Sequence, residues 1–349
     1  MRILNVINVR WYNATAWYAV SLSKALKCKG HNVAVCGLPG SPPVLKARNA
    51  GLETFEAGVN TSNPFKALAV MGAMDRIMMQ FQPEVVICNR GEFFWYFVWK
   101  RITRQNFKLI RVRGDIRPPK NGFFNRLMHN RCTDAIICSG EFICDMYRKT
   151  LKTPESALNV LYGGVDTDVF KPSQFSRIKI RDEFGYTEDD FVVGIVGRFD
   201  PIKGHEILIK SVSDLYKHGK KNIRLLIAGF DAVTNTENIE RMIAEHEIGE
   251  ITRITGFRED IADIYCAMDV CVVSSLGSEA ICRVGMEAMA CGVPIITSDT
   301  GVLPEISKNV YSKFDPIALG EFIRDYDTTV KTYSQKDFAD EFERIAQIN

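Results

Sequence analysis

Two carboxylates, Glu279 and Glu287, sit eight residues apart in the stretch Ser278 to Pro294. An apolar run, Asp269 to Ser274, precedes them, and a second, Val293 to Thr297, follows. The pattern reads as strand, short loop, helix, strand. On that reading Glu279 falls near the helix N-terminus, where the helix dipole favours a carboxylate. Glu287 falls about 2.2 turns further along, near the same face. Its neighbours Met286, Ala288 and Met289 read as buried, and a carboxylate among apolar side chains needs a partner. Ligand hydroxyls are one kind of partner; an Arg or Lys from elsewhere in the chain is the other.

A second segment offers the opposite charge. Phe191 to Gly197 reads as a strand running into a glycine turn, followed by Arg198 and then by Lys203 and Gly204 at the start of a helix. In α/β sheets the ligand crevice lies outside the carboxyl ends of the strands. An Arg and a Lys there, beside a helix N-terminus, make an anion site, and their spacing lets both reach one diphosphate. Two solvated surface cations would carry the same signature. The chain contains no G-x-G-x-x-G and no G-x-x-x-x-G-K-[ST], which argues against a dinucleotide dehydrogenase and a P-loop enzyme.

The elements that must position these residues alternate along the chain. In the first half, strand signals fall at 2–8, 32–37, 84–88, 108–112, 135–138 and 158–161, and helix signals at 14–28, 64–80, 92–104, 123–131 and 141–149. Such βα alternation implies a parallel sheet with helices on both faces. A polar stretch from Phe170-Lys171-Pro172 to about Tyr186 reads as an interdomain segment. The alternation then restarts with strand 191–197, helix 204–217, strand 223–228, helix 236–246, strand 251–255 and a short helix 259–267. Ser334 to Ile348 reads as a terminal helix. The expected fold class is α/β, two Rossmann-like domains with parallel sheets facing a central cleft. The expected domains are 1–165 and 166–330, with 331–349 crossing back to the first.

Composition bounds the partners. A chain of 349 residues has room for two domains, and 46% hydrophobic with 25% charged residues is ordinary for a globular protein. No run of eighteen apolar residues exists, and the N-terminus turns polar too soon for a signal peptide, so the expected location is the cytoplasm. Ten cysteines without metal-ligand spacing read as free, mostly buried thiols, and no metal site is expected. The net charge of +2 hides an asymmetry: residues 1–170 carry 23 Lys/Arg against 12 Asp/Glu, and residues 171–349 carry 21 against 30. The excess concentrates between Lys100 and Arg131, where ten basic residues face one acid, Asp115, just after the aromatic run Phe93 to Trp99. That combination suits an anionic membrane surface or an anionic acceptor. A buried helix followed by a solvated basic face is the alternative.

Taken together, Gly197-Arg198 with Lys203-Gly204, and Glu279 with Glu287 before Cys291-Gly292-Val293-Pro294, resemble the donor-site motifs of the retaining family-4 glycosyltransferases of GT-B fold. Gly163-Gly164-Val165-Asp166 with Phe170-Lys171-Pro172 resembles the family's domain-joining segment. Thr255-Gly256-Phe257 and Met268-Asp269-Val270 resemble the strands before the paired glutamates. The resemblance covers most of the chain. It implies that Glu287 holds the ribose hydroxyls of a nucleotide diphosphate sugar and that Glu279 contacts the donor sugar. The amides of Ala280, Ile281 and Cys282 would face phosphate and sugar, with Gly197 close by. Arg198 and Lys203 would neutralise the departing diphosphate, and Phe257 and Arg258 would lie at the base. Such a site requires no divalent metal and no cofactor beyond the sugar nucleotide as co-substrate. Asp166-Thr167-Asp168 spells a D-x-D, but it falls in the expected interdomain turn, where Asp is common for turn reasons.

The first half departs from the family pattern. Val9 to Thr15 stands where a glycine pair is usual, so Asn13, Ala14 and Thr15 would approach the donor phosphates in its place. Val112-Arg113-Gly114-Asp115 stands where a His often contacts the reacting sugar, so Arg113 or Asp115 would serve there, a strand-end salt bridge being the alternative. The glycine-rich turn usual after Pro304-Glu305 is missing in Lys308 to Phe314. The implied function is transfer of a sugar from a UDP-, GDP- or ADP-linked donor to an acceptor hydroxyl in surface glycan, lipopolysaccharide or glycolipid synthesis, peripheral to the inner face of a membrane and without nucleic acid. The rival readings are a nucleotide-sugar epimerase of the same fold and a non-catalytic sugar-nucleotide-binding protein.

Overall fold

The computed structural model describes residues 1–61, 64–91, 93–103 and 106–347. It divides into two compact units, Met1–Gly164 with the chain from Tyr333 on, and Val165–Thr332.

In the first unit β1 (Arg2–Ile7), α1 (Ala14–Cys28), β2 (Asn32–Gly37), α2 (Pro42–Asn49), β3 (Glu53–Glu56), α3 (Pro64–Phe81), β4 (Val85–Cys88), α4 (Phe94–Ile102), β5 (Lys108–Arg113), α5 (Phe123–Arg131), β6 (Ala135–Cys138), α6 (Glu141–Leu151) and β7 (Leu158–Val160) follow one another. The seven strands form one parallel sheet in the order β3-β2-β1-β4-β5-β6-β7. Strands β4 and β6 are buried along their whole length, as a parallel sheet covered on both faces requires. A terminal helix, labelled α14 below (Gln335–Ala346), belongs to this unit. Its Phe338 meets the Tyr18 ring edge-on at 4.8 Å, and its Glu343 accepts from Lys29 at 2.9 Å. The expected ends of two helices, at Glu92, Arg104 and Ile348, lie outside the described residues.

In the second unit come α7 (Gln174–Phe184), β8 (Phe191–Val196), a 3-10 turn (Pro201–Lys203), α8 (His205–Lys217), β9 (Ile223–Ala228), α9 (Thr236–Glu245), β10 (Thr252–Ile254), α10 (Ile261–Ala267), β11 (Val270–Val273), α11 (Arg283–Ala290), β12 (Ile295–Ser298), α12 (Leu303–Ile306), β13 (Asn309–Tyr311) and α13 (Pro316–Arg324). The sheet is again parallel, in the order β10-β9-β8-β11-β12-β13. Its apolar side chains, among them Val193, Ile195, Leu225, Ile227, Val270 and Val272, are fully or almost fully buried. Burial of each such side chain contributes roughly 1.5–3 kcal/mol.

Three sequence expectations need correction. The polar stretch to Tyr186 is not a linker, because it contains α7. Ser173 caps this helix by accepting from the Ser176 amide at 3.1 Å, and Gly185 ends it in the left-handed region at φ 71°. Arg181 holds it to the unit, donating to the Ala267 carbonyl at 3.1 Å and to Asp269 at 2.7 Å. The segments α2, β3, α12, β13 and α13 are not among the expected elements; none is longer than nine residues. Finally, Glu279 does not lie in the first turn of a helix. Helix α11 starts at Arg283, because Cys282 before it takes φ 53°.

Candidate functional site

The strand order of the second unit reverses direction between β8 and β11, and open parallel sheets bind ligands outside the carboxyl ends of the strands at such a point. Both chemistry-bearing segments leave the sheet there: Gly197 to Lys203 follows β8, and Ser274 to Cys282 follows β11. Backbone contacts hold the two loops together. The Leu276 amide donates to the Ile202 carbonyl at 2.7 Å, and the Ser274 hydroxyl to the Lys203 carbonyl at 3.0 Å. Gly204, at φ 69°, allows the approach, since a Cβ there would lie 2.0 Å from the Ser274 carbonyl oxygen.

Lys203 Nζ forms an ion pair with Glu279 Oε1, which also accepts from the Ser275 hydroxyl at 2.6 Å. Glu279 is buried, at 6% exposure. Its backbone is pinned as well. The Val302 amide donates to the Glu279 carbonyl at 3.0 Å, and Gly301, at φ 57°, lies so close that a Cβ would meet that oxygen at 1.9 Å. Two non-glycine residues around Glu279, Ser278 at φ 62° and Cys282 at φ 53°, take the left-handed region. Such conformations cost roughly 1–3 kcal/mol each and cluster at ligand sites. Ala280, Ile281 and Cys282 are the last three residues of this loop rather than helix residues, and Ile281 and Cys282 are buried.

Arg198 is half-exposed and pairs with Asp200, donating from Nε at 3.1 Å and Nη2 at 2.8 Å. Burial alone would raise the Asp200 carboxyl, but Arg198 and the Ile202 amide hold it below its ordinary value. Glu287, at 4% exposure, accepts from the Tyr265 hydroxyl at 3.1 Å on one oxygen and pairs with Arg283 Nε at 3.3 Å on the other. Burial pushes the Glu287 carboxyl above its ordinary value, against the pull of Arg283 and Tyr265. Both glutamates therefore have partners within the chain. Lys203 and Glu279 together offer a cation and a carboxylate where the two loops meet, able to hold an anion and to accept from hydroxyls.

The remaining candidates have local partners of their own. Phe257 is exposed and meets Phe230 edge-on at 5.9 Å, making an aromatic platform beyond β9 and β10. The Arg258 guanidinium beside it is engaged on all three nitrogens, by Glu183 and Asp260. In the first unit the Asn13 side chain caps α1, accepting from the Ala16 amide at 3.1 Å, and Ala14 begins that helix. Thr15 donates to the Gly114 carbonyl at 3.4 Å, which brings the loop after β1 beside the loop after β5. There Asp115 forms a salt bridge with Arg117, and Arg113 donates to the Arg117 carbonyl. Burial opposes ionisation of Asp115, but the Arg117 side chain and amide hold its carboxyl down at about 2. Asp166 of the D-x-D accepts from the Asp168 amide at 3.3 Å, a turn role.

Sequence reading missed Ser275, Tyr265 and Gly301. Gly301 was open to notice, since it follows the strand next to β11. Nothing in the local pattern of Tyr265 signals that its hydroxyl meets Glu287, 22 residues away. The basic stretch is largely spent inside the unit: Lys100 pairs with Asp75, Arg101 with Asp134, Lys108 donates to the Ala346 carbonyl, and Arg111 is buried. Lys120, Arg126 and Arg131 remain exposed, beside the exposed Phe123, Phe124 and Leu127 of α5. No helix among the described residues is long and apolar enough to cross a membrane.

Residues 15–169 match the model of the family described as Glycosyltransferase Family 4, and residues 176–315 that of Glycosyl transferases group 1. The D-inositol 3-phosphate glycosyltransferase of Mycolicibacterium smegmatis is 31% identical over 176 residues, covering 49% of this chain and 39% of that protein. The chain thus spans about two fifths of the length of the curated relatives it matches. Among solved structures, a glycosyltransferase from Rickettsia africae superposes with a TM-score of 0.81 at 18% identity, over 99% of this chain and 93% of that one. HepE of Anabaena in complex with UDP gives 0.78 at 18% identity, over 99% and 98%. At these identities the structural likeness concerns the fold.

Proposed function

The chain belongs to the family-4 glycosyltransferases of GT-B fold, and from that premise we propose that it is a retaining glycosyltransferase that takes a sugar from a nucleotide diphosphate sugar to an acceptor hydroxyl. The observation that carries this reading is the meeting of the loop after β8, which carries Arg198 and Lys203, with the loop after β11, where Glu279 pairs with Lys203 and is pinned by Gly301, at the point where the second sheet reverses. Breaking the sugar–phosphate bond builds negative charge on the departing diphosphate. Arg198 and Lys203 are the cations available for that charge; a preorganised donor in a site closed to water is worth roughly 3–4 kcal/mol. The acceptor oxygen makes the new bond to the sugar, and its proton leaves with the diphosphate. Glu279, in ion-pair contact with Lys203, takes the sugar hydroxyls, and Glu287 the ribose hydroxyls. The Phe257 ring offers a stacking face for the base, while Arg258 serves through its backbone, its side chain being held by two carboxylates.

The HepE complexes with UDP and with UDP-glucose make a uridine nucleotide the first donor to try. With cations supplied by side chains, the reading requires no divalent metal. The acceptor is a surface glycan or glycolipid, and the first unit meets an anionic membrane through α5. Phe123 and Phe124, each 75% exposed, lie beside Lys120, Arg126 and Arg131, and Trp95 and Trp99 on α4 are partly exposed too. Aromatic rings at the headgroup level and cations against anionic lipid are the combination an interfacial surface needs.

The test is a thermal-shift screen of UDP, GDP, ADP and their sugars, with chelator present, followed by release of nucleoside diphosphate from whichever donor binds. A ligand that binds only the folded state raises the melting temperature. A shift with turnover is the expected result. Binding without turnover under any acceptor would favour the binding-protein reading, conversion of the sugar without release the epimerase, and no shift at all would remove the donor site.

A further inference from the structure

We propose that Cys266 and Cys291 form an oxidisable thiol pair in the second unit, and that closing it into a disulfide weakens nucleotide binding at Glu287; the second clause rests on the transferase reading above. The two thiols lie against the backbone of one residue. Cys266 Sγ is 3.5 Å from the Lys171 carbonyl oxygen, and the Lys171 amide points at Cys291 Sγ. Cys291 Sγ is also 3.7 Å from the Ala262 carbonyl oxygen, one turn before Cys266 on α10, and it is hydrogen-bonded to the Cys266 sulfur. Both side chains are buried, but Lys171 and Pro172, which lie over them, are exposed. Gly292 sits under Pro172, where a Cβ would meet the proline Cγ at 3.1 Å.

The surroundings set this pair apart from the sheet cysteines. Burial pushes the thiols of Cys36, Cys88 and Cys271 up to about 12, and such thiols are inert. Cys266 instead lies at the N-terminal end of α7. The hydrogen bond from Cys291 lowers the Cys266 thiol below its ordinary value, with help from the Ser173 amide and Arg177, against burial and the Asp263 carboxylate. Arg177 also donates to the Cys266 carbonyl at 3.3 Å, and a helix N-terminus beside a guanidinium is a setting that favours a thiolate. The same hydrogen bond, with burial, pushes the Cys291 thiol up. Cys266 thus holds the thiolate and Cys291 the proton.

Hydrogen peroxide supplies the oxidant. The Cys266 thiolate attacks one peroxide oxygen, the O–O bond breaks, and hydroxide leaves as the sulfenic acid forms. The Cys291 sulfur then attacks the Cys266 sulfur, and its proton departs with the sulfenic hydroxyl as water. The pair gives up two electrons and the peroxide takes them. The resulting bridge joins the two helices that set Glu287. Tyr265, whose hydroxyl donates to Glu287 at 3.1 Å, directly precedes Cys266, and the Cys291 amide donates to the Glu287 carbonyl at 3.1 Å. A covalent bond draws the sulfurs closer than a hydrogen bond holds them. It therefore shifts α10 against α11 and tightens Tyr265 on the carboxylate that the ribose needs.

The experiment oxidises the full chain with hydrogen peroxide and digests it without reduction. UDP affinity is measured before oxidation, after it, and after dithiothreitol. The expected result is a peptide joining Cys266 to Cys291, lighter by two hydrogens than its reduced halves, with UDP affinity weakened at least about fivefold and recovered on reduction. Cys266→Ser should keep the UDP affinity of the reduced parent within about twofold and lose the response to peroxide, its melting temperature reporting the fold and Cys266→Ala replacing it if serine prevents folding. In Cys291→Ser the first step should stop at the sulfenic acid, so dimedone should label Cys266 far more than in the parent. Absence of the joined peptide overturns the pair, as does a Cys266 variant that remains as peroxide-sensitive as the parent. A joined peptide with unchanged UDP affinity overturns the coupling to Glu287. Failure of the reduced parent to bind UDP, GDP or ADP sinks the transferase reading instead, and the joined peptide still decides the pair.

Discussion

Lys203 and Glu279 form an ion pair across 76 residues of chain, and that contact joins the loop after β8 to the loop after β11. The carboxylate is the more deeply buried of the two, with 8% of its side chain exposed against 29% for the lysine. Removing one member of such a pair leaves the other charge without compensation, at a cost on the order of 3 kcal/mol. The pair is therefore structural and chemical at once: Lys203 orients a buried acid and keeps a cation at the switch point.

Arg198→Ala and Lys203→Ala should each cut sugar transfer by about tenfold or more, because each removes a charge from the departing diphosphate. They should differ in stability. Loss of Lys203 strands Glu279, whereas loss of the half-exposed Arg198 should cost less, because the buried Asp200 keeps the Ile202 amide as a donor. Steady-state rates and urea midpoints read both effects. Unchanged rates in both variants would sink the diphosphate assignment.

Glu287→Ala should weaken binding of the free nucleoside diphosphate by roughly 1–3 kcal/mol, the cost of a lost hydrogen bond to a charged group. The parent should also lose affinity as pH falls, beginning above the ordinary carboxylate range, because burial raises the Glu287 carboxyl and a protonated acid accepts poorly. The sign separates this loss from unfolding. A carboxyl whose value is raised in the folded state binds its proton more tightly there, so this group stabilises the fold as pH drops. Calorimetric titration at several pH values, against Glu287→Gln to cancel titration of the ligand, should show the acid loss in the parent only. Equal profiles would count against the ribose role.

Much of this was legible in the sequence because the parallel strands are short apolar runs, such as Val270 to Val273, and the cations and acids sit at their carboxyl ends. Helix α7 was harder to see. Its interior is highly charged and buries only Ser176, Ile180 and Arg181, so the apolar periodicity is faint even though Ser173 and Gly185 bracket it as caps. The position of Glu279 was misjudged for a different reason. A left-handed Cys282 delays the helix, and no local pattern announces a non-glycine residue in that region. Partners such as Tyr265 for Glu287 and Arg117 for Asp115 depend on where side chains end in space, and Arg113 and Asp115 were named without them.

Gly301 carries a prediction about the loop rather than the charges. Gly301→Ala would force a Cβ to within 1.9 Å of the Glu279 carbonyl oxygen, in a conformation at φ 57° that side chains resist. Gly219→Ala is the control: its φ is 103°, and nothing lies within 4 Å of the added carbon. Both should pay the backbone cost of about 1–2 kcal/mol, and only Gly301→Ala should pay more and lose donor affinity. Urea unfolding with UDP titration separates the two. Similar stability loss with intact UDP binding in both would mean that the loop moves aside without consequence for the site.

The exposed aromatic and basic residues of α5 give the last prediction. Phe123 and Phe124 are three-quarters exposed, a large apolar area for a helix with Arg126 and Arg131 on it. If this face meets a membrane, flotation with liposomes should require anionic lipid and weaken as salt screens the charges over a Debye length of about 10 Å at 0.1 M. Phe123→Ser/Phe124→Ser should reduce binding at least about fivefold, because two buried rings contribute to interfacial affinity in proportion to their area. Both rings are exposed in the folded chain, so the double variant should keep its melting temperature and its UDP affinity. Arg126→Gln/Arg131→Gln should instead flatten the salt dependence while leaving the residual apolar binding. Salt-independent binding, or none to any vesicle, would return this face to ordinary solvated surface.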